Sequence, residues 1–162
     1  MAQINVAELF KQTRRKLNMH WVAGLNGGSN TLTSETVAKP SLALIGHLNF
    51  VHPNRVQVLG CAEMDYLRGL QASEAASAIK NLFSTNLAVV IVANDESVPE
   101  ALLNAANSHN TPLFTSPIRS PALMDVLNHF LAHAVAESIS LHGVFMEVQG
   151  FGALIKGEAA IG

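Results

Sequence analysis

The chain has 162 residues, of which 49% are hydrophobic and 14% are charged, and its formal net charge is −2. This composition is typical of a folded protein with a sizeable core, and it excludes a disordered chain and a globally basic surface for nucleic acid. The single cysteine, Cys61, excludes an internal disulfide and favours a reducing compartment.

The N-terminus and the apolar runs indicate the cellular location of the protein. The first residues lack the continuous apolar stretch of a signal peptide. The longest apolar run, "LAVVIVA", is far shorter than the ~20 residues that a membrane-spanning helix needs. We therefore expect a cytoplasmic protein that binds neither membrane nor nucleic acid.

The N-terminal residues have the spacing of an amphipathic helix. Five side chains recur at intervals that place them on one helical face: Val6, Leu9, Phe10, Thr13 and Leu17. The basic run Arg14 to Lys16 follows, where cations interact favourably with the helix dipole. We interpret the run as a solvated helix end, with a patch for an acidic partner as the alternative. After it, "MHWVAG" predicts a short strand and "NGGSN" a turn.

The middle of the chain has the pattern of a parallel α/β sheet. "PSLALIGHL" predicts a short helix after Pro40. Three valine-rich or aromatic runs, "RVQVLG", "LAVVIVAN" and "PLFTSP", then predict strands that are buried on both faces. Helical stretches over residues 62–70, 73–83 and 98–108 separate these runs. Alternating strands and helices of this kind predict parallel strands joined by helical crossovers.

The last third of the chain predicts a long helix followed by a hairpin. "SPALMDVLNHFLAHAVAES" has a capping residue in Ser120 and a first-turn proline in Pro121. Its predicted buried face consists of Leu123, Leu127, Phe130, Leu131 and Ala134. "HGVFMEVQ" and "GFGALIK" are β-like runs joined by glycines, which predicts a hairpin or bulged pair.

The sequence therefore predicts the α/β class with two parts. Residues 1–130 form a small N-terminal α/β domain in which helices flank a mostly parallel sheet. Residues 131–162 contain the end of the long helix and a partial β-hairpin that begins a second domain.

Three groups of side chains are candidates for chemistry. Asp125, His129 and His133 share a helix face and include two histidines at i and i+4, a metal-binding spacing. No third ligand group is identifiable, so we favour a solvated polar face and expect no metal site. Cys61 follows a strand end, and we expect a buried, inert thiol there. Residues 94–96 follow the next strand, where they either contact a ligand or form a polar loop and helix cap; we favour the cap.

The chain ends in a glycine pattern that opens a phosphate-binding loop. A strand precedes Gly157, four residues follow, and a second glycine stands at position 162. In such a loop successive backbone N–H groups form a concave site for phosphates. Two glycines at this spacing are common, however, so the spacing alone favours an ordinary C-terminal turn.

Longer stretches carry a more specific signal. "HGVFMEVQGFGALIKGEAAIG" resembles the segment of bacterial HPr kinase/phosphorylase that runs from a His-Gly pair into its P-loop. "KPSLALIGHLNFVHPNRVQVLGCAEMDYL", "LFSTNLAVVIVAND" and "TPLFTSPIRSPALMDVLNHFLAHAVAESISLHGV" resemble that family's N-terminal domain. The resemblance runs collinearly over nearly the whole chain.

The resemblance implies a function. Enzymes of this family phosphorylate a serine of the phosphocarrier HPr with ATP or pyrophosphate, require Mg²⁺ and remove the phosphate by phosphorolysis. Their kinase domains assemble into hexamers. By resemblance, His142 lies beside the transferred phosphate. The nucleotide-binding loop begins with Gly157, Glu158, Ala159, Ala160, Ile161 and Gly162.

Two differences from the family pattern affect this assignment. Ala159 and Ala160 stand where the family usually has Ser and Gly, and a glycine is suited to positive-φ loop conformations. The lysine and hydroxyl residue that complete a P-loop are not among the 162 residues. We therefore expect an inactive piece of a longer enzyme, with no cofactor of its own.

The alternative is a stand-alone regulatory or ligand-binding α/β module without catalysis. Its candidate ligand contacts lie near predicted strand ends, where open α/β sheets bind ligands: Glu63, Asn94, Asp95, Thr115 and Ser116.

Overall fold

The computed structural model describes residues 4–32, 56–84 and 87–134. These residues form an α/β structure, as the sequence predicts, with five α-helices and two sheets in the described ranges. The predicted helix after Pro40, the hairpin after residue 138 and the boundary between 1–130 and 131–162 involve residues outside these ranges, so they stay predictions.

The elements follow one another with short connections. The first group is β1 (Ile4–Asn5), α1 (Val6–Thr13), β2 (His20–Ala23), a 3-10 helix (Leu25–Gly27) and β3 (Thr31–Leu32). The second group is β4 (Val56–Leu59), α2 (Cys61–Arg68), α3 (Ala72–Phe83), β5 (Val89–Val92), α4 (Glu100–Ser108), β6 (Leu113–Thr115) and α5, which is described over residues 120–134.

The main sheet has four described strands in the order β2-β6-β5-β4. Strands β4, β5 and β6 are parallel, with Val58 opposite Ile91 and Ile91 opposite Phe114. Strand β2 pairs antiparallel with β6 and has a register shift between Trp21 and Ala23. The three predicted parallel strands and the earlier strand in "MHWVAG" are therefore confirmed. A separate two-stranded antiparallel sheet joins β1 to β3.

Both faces of the main sheet are buried. On one face, Val89 and Ile91 of β5 pack in a cluster with residues of α1 and α5. On the other face, Val90 and Val92 pack in a second cluster with residues of α2, α3 and α4. All four residues of β5 are consequently buried, which explains why its sequence is an uninterrupted apolar run.

The helices differ from the predictions mainly at their ends. α1 ends at Thr13, and a further hydrogen bond from the N–H of Leu17 to the carbonyl of Thr13 at 3.0 Å leads to Asn18, where the chain turns with a φ of 48°. Leu17 is buried, as predicted. α2 begins at Cys61 rather than at residue 62. Within the predicted face of α5, the buried residues are Leu123, Leu127 and Leu131, whereas Phe130 and Ala134 are half-buried.

One glycine allows β2 to approach the opposite loop closely. Gly24 has a φ of 66°, and a Cβ added there would lie 2.0 Å from the carbonyl oxygen of Thr111. Its N–H donates to Asn107 Oδ1 at 2.8 Å, which joins the end of β2 to α4.

No helix formed by the described residues is long and apolar enough to cross a bilayer.

Candidate functional site

The carboxyl ends of β4, β5 and β6 meet at one edge of the sheet, because the three strands are parallel and adjacent. This is the edge at which open α/β sheets bind ligands. The segments that follow these strands carry several of the side chains that the sequence offers for chemistry. They include Cys61, Asn94 and Glu96.

The loop after β5 has an uncommon backbone. Asn94 and Asp95 both have positive φ, 62° and 56°, a conformation that Asn and Asp adopt more readily than most residues. The N–H of Asn94 donates to the carbonyl of Ile118 at 2.9 Å, and that of Asp95 to the carbonyl of Ser116 at 3.0 Å. The loop is therefore fixed to the segment that joins β6 to α5.

The side chain of Asn94 bridges two other elements. Its Oδ1 accepts the N–H of Ser120 at 2.8 Å, and its Nδ2 donates to the sulfur of Cys61 at 3.2 Å. Asn94 therefore caps a helix, as predicted, but the helix is α5. The next helix in sequence, α4, begins after Pro99 with no side-chain cap.

The Cys61 thiol is exposed, so the prediction of a buried thiol is wrong. The residue stands at the first position of α2, at the sheet edge rather than inside the core. A hydrogen bond to the Glu96 carboxylate raises the pKa of Cys61, with smaller contributions from desolvation and the negative charge of Glu96. The thiol therefore stays protonated at neutral pH, which argues against a nucleophilic role.

Glu96 is held in place by Arg68. The guanidinium of Arg68 contacts Glu96 Oε1 at 2.6 Å and Asp65 Oδ1 at 3.2 Å. Hydrogen bonds from Arg68 and, to a lesser extent, Cys61 lower the pKa of Glu96. The carboxylate thus remains ionised and connects α2 to the loop after β5.

Several proposed ligand contacts are engaged inside the domain instead. Glu63 is buried and accepts the N–H of Gly60 at 2.7 Å. The hydroxyl of Ser116 is buried, donates to Leu17 O at 2.6 Å and accepts the N–H of Ile118 at 3.1 Å. With Asn94, three of the five residues named for the ligand-binding alternative hold the fold together. Of the other two, Asp95 is exposed and Thr115 is half-buried, so the ligand-binding alternative stays a prediction.

The histidine pair of α5 lies on an exposed face, as predicted. The rings of His129 and His133 are in edge contact with centroids 4.4 Å apart, and Asp125 is also exposed. Within residues 4–32, 56–84 and 87–134, no three histidine, cysteine, aspartate or glutamate side chains are placed to hold a metal ion.

Comparison with known proteins identifies the family of the chain. The sequence profile described as "HPr Serine kinase N terminus" matches residues 4–131. The chain belongs to the HPr serine kinase N-terminal domain family. The resemblance drawn from the sequence is thereby confirmed.

Curated relatives of this HPr serine kinase N-terminal domain match the chain beyond residues 4–131. The HPr kinase/phosphorylase of Chromobacterium violaceum is 49% identical over 162 residues, which is 100% of this chain and 51% of the relative. The same-named protein of Neisseria gonorrhoeae is 43% identical, again over the whole chain and 50% of the relative. That of Xanthomonas campestris pv. campestris is 40% identical over 98% of the chain and 50% of its own length. The chain spans about half the length of these curated relatives.

The residues assigned to phosphate chemistry lie elsewhere in the chain. His142 and the stretch from Gly157 to Gly162 fall outside the described residues, so their roles stay predictions. Within the HPr serine kinase N-terminal domain itself, sequence reasoning missed Arg68 and its contact with Glu96. Only the order of the strands brings these residues, 28 positions apart, to the same edge.

Proposed function

We propose that the longer protein to which this chain belongs is an HPr kinase/phosphorylase. It transfers a phosphoryl group from ATP or pyrophosphate to a serine of the phosphocarrier HPr, and it removes that group by phosphorolysis. One observation carries the proposal: relatives of that name match the chain end to end, at up to 49% identity. By the same resemblance, the longer protein forms hexamers in the cytoplasm.

The residues for phosphoryl transfer follow from the resemblance and from the chemistry. Phosphoryl transfer depends mainly on positioning and on charge stabilisation. Backbone N–H groups between Gly157 and Gly162 would bind phosphate oxygens, and His142 would donate a hydrogen bond to the transferred phosphate. Mg²⁺ would supply positive charge to the phosphate oxygens when bound.

The 162 residues by themselves should lack kinase activity. A P-loop needs a lysine for the terminal phosphates and a serine or threonine for the metal ion directly after its last glycine. Neither residue is among the 162, whose last residue is Gly162. Among the described strand-end side chains, Glu63 and Ser116 are hydrogen-bonded to backbone groups, and Asn94 is hydrogen-bonded to Cys61.

A phosphorylation assay tests both statements. The purified 162-residue chain and the protein encoded by the complete gene are each incubated with HPr, Mg²⁺ and either ATP or pyrophosphate. We expect phosphoserine on HPr with the longer protein only. Phosphorylation by the 162-residue chain would contradict its inactivity, and failure of the longer protein with both donors would contradict the proposed enzyme.

A further inference from the structure

Helix α5 begins at the edge of the sheet where a ligand would be expected. The N–H of Ser120, in its first turn, donates to Asn94 Oδ1 at 2.8 Å. A Cβ added at Gly60 would lie 2.9 Å from Ser120 Oγ, so the corner between β4 and α2 also packs against this turn. We call Gly60, Cys61, Asn94 and Ser120 the α5 anchor.

Asparagine suits the central position of the α5 anchor for three reasons. Its amide oxygen accepts from α5, while its amide nitrogen donates to Cys61 at the start of α2. It also tolerates the left-handed backbone, here with a φ of 62°. Aspartate would keep the acceptor and lose the donor. Glycine would keep only the backbone conformation, and alanine would keep none of these properties.

The α5 anchor and the hydrophobic core fix different features of α5. Leu123, Leu127 and Leu131 bury one face of α5 and thereby determine which side of the helix meets the sheet. The hydrogen bond from Ser120 fixes the first turn to the loop after β5. Residues 135–162 follow the described part of α5 in sequence, as would the rest of the longer protein.

We propose that Asn94 is a positioning residue that fixes the start of α5, and that the α5 anchor thereby influences catalysis in the longer protein. The second part rests on the proposed function. The edge that other α/β sheets use for a ligand is used here to hold the helix that connects this domain to the C-terminal part of the longer protein.

Hydrogen exchange tests the first part in the 162-residue chain. First-turn N–H groups have no acceptor within their own helix, so protection of the Ser120 amide depends on Asn94. Asn94→Gly should accelerate exchange of this amide at least roughly tenfold, while the amides of Val90 to Val92 keep their protection. Asn94→Asp should stay within about threefold of the wild type, because it retains an acceptor with favourable charge at a helix N-terminus.

Asp95→Asn is the matched control, since it alters the neighbouring exposed side chain at a similar φ.

Three results would overturn the positioning role. The first is unchanged exchange of the Ser120 amide in Asn94→Gly. The second is equal acceleration in Asn94→Asp and Asn94→Gly, which would mean that Oδ1 is not the acceptor. The third is equal acceleration of the β5 amides, which would mean that Asn94 supports the whole sheet.

Kinetics of the protein encoded by the complete gene test the second part. Asn94→Gly should change the kcat for HPr phosphorylation at least roughly threefold, while the KM for ATP stays within about twofold. Asp95→Asn should match the wild type, and Asn94→Asp should lie closer to the wild type than Asn94→Gly does, because it keeps the acceptor for Ser120 but loses the donor to Cys61. If the wild type is active and Asn94→Gly has wild-type kinetics, the influence on catalysis is disproved. If the wild type is inactive, the proposed function fails, and the exchange result still decides the positioning role.

Discussion

At the scale of single residues, the neighbours of a strand-end side chain determine its chemistry. A cysteine at the start of a helix is often activated, because the helix dipole favours the thiolate. At Cys61 the opposite effect dominates, since the thiol hydrogen-bonds to the Glu96 carboxylate and its pKa is raised. Arg68 keeps that carboxylate ionised by lowering the pKa of Glu96. An exposed cysteine beside a strand end is therefore not by itself a nucleophile.

Substitution of Glu96 should make Cys61 more reactive. Glu96→Gln removes the negative charge and the strongest acceptor for the thiol proton, so the pKa of Cys61 should fall towards its ordinary value. Below the pKa, each unit of decrease raises the thiolate fraction roughly tenfold. The rate of iodoacetamide alkylation, measured between about pH 7 and 10, should therefore reach its midpoint at a lower pH in the variant. Asp65→Asn should have a smaller effect, because Asp65 contributes least to the raised pKa; an equal or larger shift would contradict the assigned cause.

At the scale of secondary structure, local sequence predicts the element types better than their ends or contacts. The runs that form β4, β5 and β6 were identifiable because strands buried on both faces lack alternating polar residues. The turn that follows α1 closes at Asn18 with positive φ, which the helical spacing of Leu17 does not reveal. The contact between Arg68 and Glu96 depends on tertiary structure and has no local signal.

The close approach at the end of β2 should make Gly24 intolerant of a side chain. Gly24→Ala would place a Cβ 2.0 Å from the Thr111 carbonyl oxygen at a backbone φ of 66°. Strain and overpacking together should lower the free energy of unfolding by roughly 3 kcal/mol. Urea denaturation measures the loss. Gly69→Ala is the matched control, because its Cβ would meet only ordinary contacts at 3.6 Å, and it should be neutral or stabilising by roughly 0.5 kcal/mol.

At the scale of the whole molecule, one sheet separates two apolar clusters. Leu127 of α5 belongs to the cluster on one face, and Leu102 of α4 belongs to the cluster on the other. The single tryptophan, Trp21, reports on the first face, where it contacts Phe10 and Phe114 with ring centroids 5.4 and 5.2 Å apart. Since adjacent residues of β5 contribute to opposite clusters, loss of packing on one face should weaken both.

We therefore expect the described part of the chain to unfold as one cooperative unit. Leu127→Ala and Leu102→Ala each remove a fully buried side chain and should each lower the free energy of unfolding by about 3 kcal/mol. In urea titrations, Trp21 fluorescence and far-ultraviolet circular dichroism should shift together in both variants. Leu25→Ala serves as control, because Leu25 is 70% exposed and its removal should change stability by less than about 0.5 kcal/mol. If Leu102→Ala moved the circular dichroism transition and left the fluorescence transition in place, the two faces of the sheet would unfold independently. Loss of packing on one face would then not weaken the other, and the expected cooperativity would be wrong.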